Sequence, residues 1–207
     1  MYICSVLIHN LPMQKILLID NYDSFTYNLA QLLDESNLCN FDIIKNDALD
    51  IDKIIKYDKI IISPGAGLPK DAGIILKIIK KYHKTKPILG ICLGMQAIAE
   101  FFGAELYNLE KVYHGIKINT RITDDNELLF NNIPNNIKVG LYHSWAVYKN
   151  VEKSDLKITA CSNDNIIMAI SHKKYDVKGI QFHPESYITK FGKDIIENWL
   201  MSKTNSK

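Results

Sequence analysis

Arginine is almost absent. Of the 25 basic residues only Arg121 is not lysine, and isoleucine and asparagine are abundant. These usages share A/T-rich codons, which points to an AT-biased gene, such as that of an organelle or endosymbiont, and says nothing about chemistry. A charge excess is also missing: the net formal charge is +2. The lysines are scattered, with blocks such as Lys80-Lys81 and Lys173-Lys174 only two residues long, so they read as solvated surface and nucleic acid is excluded as a partner. No apolar run approaches the roughly 18 residues that span a membrane. The four cysteines (Cys4, Cys39, Cys92 and Cys161) form no CxxC pair. That argues against a disulfide framework or a structural metal site and fits a reducing compartment. Around Val6-Leu7-Ile8 there is neither a preceding basic region nor a cleavage site, and the Arg-rich character of a transit peptide is lacking. Residues 1–14 therefore read as an N-terminal extension, with Met13 an alternative start.

What is present is ordinary for a globular chain: 47% hydrophobic and 23% charged residues over 207 positions, enough for a sizeable core. Lys15-Ile16-Leu17-Leu18-Ile19-Asp20 is the pattern of a strand covered on both faces. Asp23 and Ser24 are placed to cap a helix over 25–35. A strand over 41–44, a short helix over 51–56, a strand over 58–63, a helix over 71–83, a strand over 87–91 and a helix over 93–102 follow. This alternation predicts an α/β fold, a doubly wound and mostly parallel central sheet flanked by helices. Strands over 116–122, 139–142, 157–161, 166–170 and 179–182 should extend that sheet and build a small additional antiparallel one. A final helix over 190–201 precedes a polar tail expected to fray. Neither a repeat nor a linker interrupts the chain, so one domain over 15–203 is expected.

Three segments carry candidate chemistry. In Gly90-Ile91-Cys92-Leu93-Gly94 the thiol sits on a tight strand-to-helix turn, and flanking glycines relieve its crowding. The helix N-terminus there favours the thiolate, the nucleophilic form. A thiol nucleophile needs a base, and the base an orienting group. His183-Pro184-Glu185 supplies both. In an extended segment residues i and i+2 share a side, so Glu185 can reach the ring of His183, with Pro184 holding the backbone extended. Finally, Ser63-Pro64-Gly65-Ala66-Gly67 is a glycine turn at a strand end. Its backbone could face an oxyanion, with the N–H groups of Gly65 and Leu93 as candidate donors. The turn lacks the Lys-Ser/Thr of a P-loop, and no GxGxxG follows the first strand.

Six segments, in order, resemble the class I glutamine amidotransferases of the anthranilate synthase and aminodeoxychorismate synthase type. They are Asp20-Asn21-Tyr22-Asp23-Ser24-Phe25-Thr26-Tyr27-Asn28, Ser63 to Pro69, Gly90 to Gln96, His114-Gly115, Tyr142-His143-Ser144 and Gln181 to Ser186. Together they span nearly the whole chain. The resemblance implies a flavodoxin-like amidotransferase fold and glutamine hydrolysis through a thioester on Cys92, with His183 and Glu185 completing the catalytic set. It also implies a glutamine pocket built from Gln96, the backbone of Gly65, Ala66 and Gly67, Leu93, and Ser144-Trp145. Two positions depart from the family: Ala66 stands where a second proline is usual, and Trp145 where an aliphatic residue is common.

The implied partner is a chorismate-using synthase large subunit that receives the ammonia. No cofactor or metal is expected in this chain, and Mg²⁺ would belong to the partner. The expected product is anthranilate, for tryptophan, on the frequency of that type in the family, with aminodeoxychorismate, for folate, or a subunit serving both as the alternatives. A γ-glutamyl thiol hydrolase and an inactive regulatory module are the more distant alternatives. The expected location is the plastid stroma if the gene is organellar, and the cytoplasm otherwise. His9, His83 and His172 are expected at the surface, and neither His114 nor His143 is given a catalytic role.

Overall fold

In a computed structural model the described residues are 13–202, so most of the N-terminal extension and the polar tail lie outside them. Strand β1 (Gln14–Asn21) contains the run Ile16 to Ile19, all fully buried. It takes β2 (Cys39–Lys45) on one side and β3 (Lys59–Gly65) on the other, both parallel. Parallel pairing requires a crossover. Helix α1 (Thr26–Ser36) provides the first, and a 3-10 segment (Ile51–Lys56) the second. After α2 (Ile75–Tyr82), β4 (Ile88–Ile91) joins β3 and leads into α3 (Leu93–Phe101).

The chain then leaves this layer. β5 (Leu106–Asn108) and β8 (Trp145–Val147) form a two-stranded antiparallel sheet. β6 (Ile116–Ile122), β7 (Asn136–Leu141), β9 (Leu156–Ser162) and β10 (Ile167–His172) form an antiparallel wing of the main sheet. β11 (Val177–Ile180) returns parallel to β4, giving the order β2-β1-β3-β4-β11-β10-β9-β6-β7. Helix α4 (Gly192–Met201) closes the layer. All five strands expected in the second half thus join the main sheet, whereas the small sheet comes from two three-residue strands too short to show a period. The core lies in two apolar clusters, one on each face: Leu18, Leu29 and Trp199 belong to one, Leu17, Ile78 and Ile98 to the other.

Two local expectations are corrected. Helix α2 begins at Ile75 rather than near 71, because Pro69–Asp71 forms a separate 3-10 turn. The start of α1 is not capped by Ser24. Its cap residue is Phe25, which makes no side-chain cap bond. Asp23 serves the helix start, its carboxylate accepting from the Phe25 N–H at 2.8 Å and its carbonyl from the Thr26 N–H at 3.2 Å, while Asp20 at the end of β1 holds the preceding turn, accepting from the Thr26 hydroxyl and the Tyr22 N–H, each at 2.9 Å.

Candidate active site

The register between β4 and β11 assembles the site. Ile91 pairs with Ile180, so the residues that follow each strand emerge side by side at the carboxyl edge, where open α/β sheets bind ligands. The Cys92 N–H donates to the Ile180 carbonyl at 2.8 Å. Cys92 has φ 52° and ψ −103°, a left-handed conformation for a residue with a side chain, and such strain costs about 1–3 kcal/mol. The surrounding packing enforces it. A Cβ on Gly90 would lie 2.3 Å from the Gly94 carbonyl carbon, and one on Gly94 would lie 2.4 Å from the Ile62 oxygen. Strand, elbow and helix approach closer than any other residue allows, which is the physical content of the Gly90–Gly94 spacing.

His183 is 2% exposed, its N–H bonded to the Gly140 carbonyl at 3.1 Å and its own carbonyl accepting from the Thr189 hydroxyl at 2.7 Å. The rings of Phe25 and Tyr142 meet it edge-on at 5.2 and 4.8 Å. Glu185 Oε1 lies 2.6 Å from Nδ1, so that nitrogen carries the proton and Nε2 is left without a hydrogen-bond partner among the described residues. The way Glu185 gets there differs from the extended segment expected. His183 to Ser186 is a turn, closed by the Ser186 N–H on the His183 carbonyl at 3.3 Å. The turn, not strand alternation, brings the carboxylate back to the ring. Burial alone would lower the basicity of His183. The adjacent Cys92 and Glu185 outweigh it and raise the ring to about 10.

In front of Cys92 lies a cleft of about 340 Å³ lined by Gly65, Ala66, Gly67, Cys92, Gln96, Tyr142, His143, Ser144 and Trp145. Six of the seven expected glutamine-pocket residues are in that wall. The seventh, Leu93, is buried beneath it, against Gly65. Trp145 contributes its backbone: its carbonyl accepts from Gln96 Nε2 at 2.9 Å and faces His143 Nδ1 at 2.8 Å. His143 therefore sits in the cleft wall, and burial pushes its ring down to about 4, so it is neutral near pH 7. Sequence reasoning missed Tyr142 and His143 as lining residues, although both fall in a segment it singled out.

The remaining histidines separate. His114 is exposed and meets the Tyr142 ring edge-on. His83 is half-buried, against Phe101, Phe102 and Tyr175. His172 is not at the surface as expected: it is 8% exposed, and its Nδ1 accepts from the N–H groups of Lys174 and Tyr175, each at 2.9 Å. His9 lies outside the described residues. Among the described residues no group of three or more His, Cys, Asp or Glu could hold a metal ion, and no helix is long and apolar enough to cross a membrane.

The sequence profile of the class-I glutamine amidotransferases matches residues 17–203. The chain belongs to that family. It is 45% identical over 188 residues to the anthranilate synthase component 2 of Cyanophora paradoxa, covering 89% of this chain and 97% of that protein. With the anthranilate synthase component 2 of Lactococcus lactis it shares 43% over 194 residues, 93% of this chain and 96% of the relative. Among solved structures, a Thermoplasma acidophilum protein described as a candidate component of GMP synthase superposes with a TM-score of 0.82 at 29% identity. That match covers 92% of this chain and 94% of the other. The amidotransferase fold read from the sequence is thus the fold observed.

Proposed function

We propose that this chain is the glutamine-hydrolysing subunit of anthranilate synthase, and that Cys92, His183 and Glu185 carry its chemistry. The reading rests above all on the cleft that meets a buried Cys-His-Glu cluster at its floor. Glutamine enters with its side-chain amide towards Cys92, held by Gln96 and by the backbone of Gly65–Gly67 and Ser144-Trp145. His183 takes the thiol proton on Nε2, the sulfur attacks the amide carbon, and the N–H groups of Gly65 and Leu93 receive the developing oxyanion. Collapse expels ammonia, which takes its leaving proton from His183 and leaves a thioester on Cys92. His183 then removes a proton from water, which attacks the thioester and releases glutamate. Glu185 holds the ring in the productive tautomer and stabilises the imidazolium.

Ammonia set free in water would be protonated and lost, so it has to pass to a docked synthase subunit that uses chorismate. The relatives named anthranilate synthase component 2 favour the anthranilate partner. Any Mg²⁺ belongs to that partner, and neither nucleic acid nor a membrane enters the reading. The stroma of a plastid is the proposed location if the gene is organellar, and the cytoplasm otherwise. Chloroplastic relatives in rice and Arabidopsis fit the first case.

The test combines the full chain with an anthranilate synthase large subunit, chorismate and Mg²⁺, and follows anthranilate fluorescence. Glutamine should support product formation, Cys92→Ser should abolish that support, and ammonium should restore it. Product from glutamine only when an aminodeoxychorismate synthase subunit is supplied would move the chain to the folate branch. Glutamine-dependent product that survives Cys92→Ser would sink the mechanism.

A further inference from the structure

Gln181 has no exposed surface and follows β11 directly, beside Cys92. Its amide orientation can be worked out from fixed points. The Trp145 carbonyl is a backbone oxygen and can only accept, so the Gln96 atom 2.9 Å from it must be the NH₂ nitrogen. That same nitrogen lies 3.1 Å from the Gln181 side chain, which must therefore present its oxygen to Gln96. Only then does the Gln181 NH₂ face Cys92, with Nε2 3.5 Å from Sγ. One backbone carbonyl thus sets the direction of two buried amides in series, and the series ends on the sulfur.

Resting on the reading of Cys92 as nucleophile, we propose that Gln181 is a further residue of the catalytic site: it donates to the Cys92 sulfur, and through Gln96 it ties the wall of the glutamine cleft to the nucleophile. The amide of Gln181 then holds the sulfur from one side while the neighbouring imidazole of His183 keeps Nε2 unbonded for the reaction. The amide has a job the imidazole cannot do. His183 must turn to the departing ammonia and later to water, whereas the amide stays fixed and keeps the sulfur aimed. Gln96, meanwhile, has both its donor contacts directed away from the ligand, to Trp145 and Gln181, which leaves its side-chain oxygen as the group available to a bound glutamine.

Two substitutions separate donation from bracing. Gln181→Glu keeps an oxygen for Gln96 and nearly the same shape, but replaces the donor with an acceptor. Gln181→Met removes both partners at similar length. The readouts are steady-state glutaminase kinetics of the full chain with its synthase partner, and the rate of Cys92 alkylation by iodoacetamide at pH 7. For Gln181→Glu, kcat should fall ten- to a hundredfold with KM within about threefold, and alkylation should slow about tenfold, as expected on losing a hydrogen bond to a charged acceptor. Gln181→Met should lose kcat similarly and raise KM as well, because Gln96 is released. Ammonium-dependent synthesis should be unchanged in both, reporting an intact partner, and co-purification of each variant with that partner should be unchanged, reporting a folded and docked chain. Wild-type kcat and alkylation in Gln181→Glu, or a rise in KM alone in either variant, would overturn the proposal. Absence of glutaminase in the unsubstituted chain would instead strike the reading it rests on.

Discussion

The central sheet buries an ionisable group at each end, and the two are treated in opposite ways. At the start of β3, Lys59 is wholly buried. Its ammonium donates to the carbonyls of Trp199, Leu200 and Ser202 at 2.7 to 2.8 Å, which occupies its three donors. Trp199 and Leu200 lie in the last turn of α4 and Ser202 is its C-cap, so the lysine caps the helix and meets the negative end of its dipole, adding to the Ser202 N–H and hydroxyl on the Trp199 carbonyl and the Gln14 amide on that of Leu200. Burial nevertheless pushes the lysine down to about 8. At the other end His183 and Glu185 are just as deeply placed, yet they satisfy only each other. His183 Nε2 and Glu185 Oε2 have no hydrogen-bond partner among the described residues. A buried charge with every bond filled serves the fold. One that keeps an atom unbonded is held ready for a reaction, and its strain is carried by the rest of the structure.

The difference should appear most sharply in a pair of substitutions. His183→Ala removes the base and should lower the glutaminase kcat at least about a thousandfold, since members of such a unit act together. It also leaves the buried Glu185 carboxylate without its partner, so stability should fall as well, by about 3 kcal/mol. Lys59→Met should cost stability alone. The Ser202 carbonyl loses its donor and those of Trp199 and Leu200 lose one of theirs, a loss of about 2 kcal/mol, while glutaminase activity per folded molecule stays within about twofold. Urea unfolding and steady-state kinetics on both proteins check this. Equal losses of activity in the two would erase the distinction between the ends of the sheet.

Sequence reading reached one end of the sheet and not the other. The elbow at Cys92 was legible because its crowding has a local remedy, glycine at 90 and at 94. His183 and Glu185 were legible because only two positions separate them, although the turn that joins them reads locally as extended chain. Lys59 offered no signal: its partners lie about 140 residues away, and in sequence it is one more lysine at a strand edge. Gln181 was hidden for a related reason. Its placement beside Cys92 follows from the pairing of Ile91 with Ile180, a register that no local pattern announces. The small sheet escaped because three residues each at 106–108 and 145–147 are too few to show a period. Local geometry can be read from spacing, whereas contacts made by register have to be observed.

A smaller effect sharpens the comparison from within the catalytic end. Cys92 and Glu185 both raise the His183 ring, against burial, to about 10. On the proposed mechanism, the imidazolium that protonates departing ammonia then persists through neutral pH. The rate kcat/KM for glutamine should show no break near the ordinary imidazole value of about 6.5 and should fall only as pH passes about 10, a limb belonging to the Cys92–His183 pair. Stability follows the same sign. With the folded value raised, the contribution of His183 is complete below about 6.5 and is lost as pH rises through about 10. Glu185→Gln keeps an oxygen for Nδ1 but withdraws the negative charge, while burial still works to lower the ring. The alkaline limb should then move down by about one to two pH units. A pH–rate series on the two proteins, with ammonium-dependent synthesis as the control for the partner's own titrations, decides it. A limb that stays in place would mean that Cys92 alone sustains the imidazolium and that Glu185 acts only by orienting the ring.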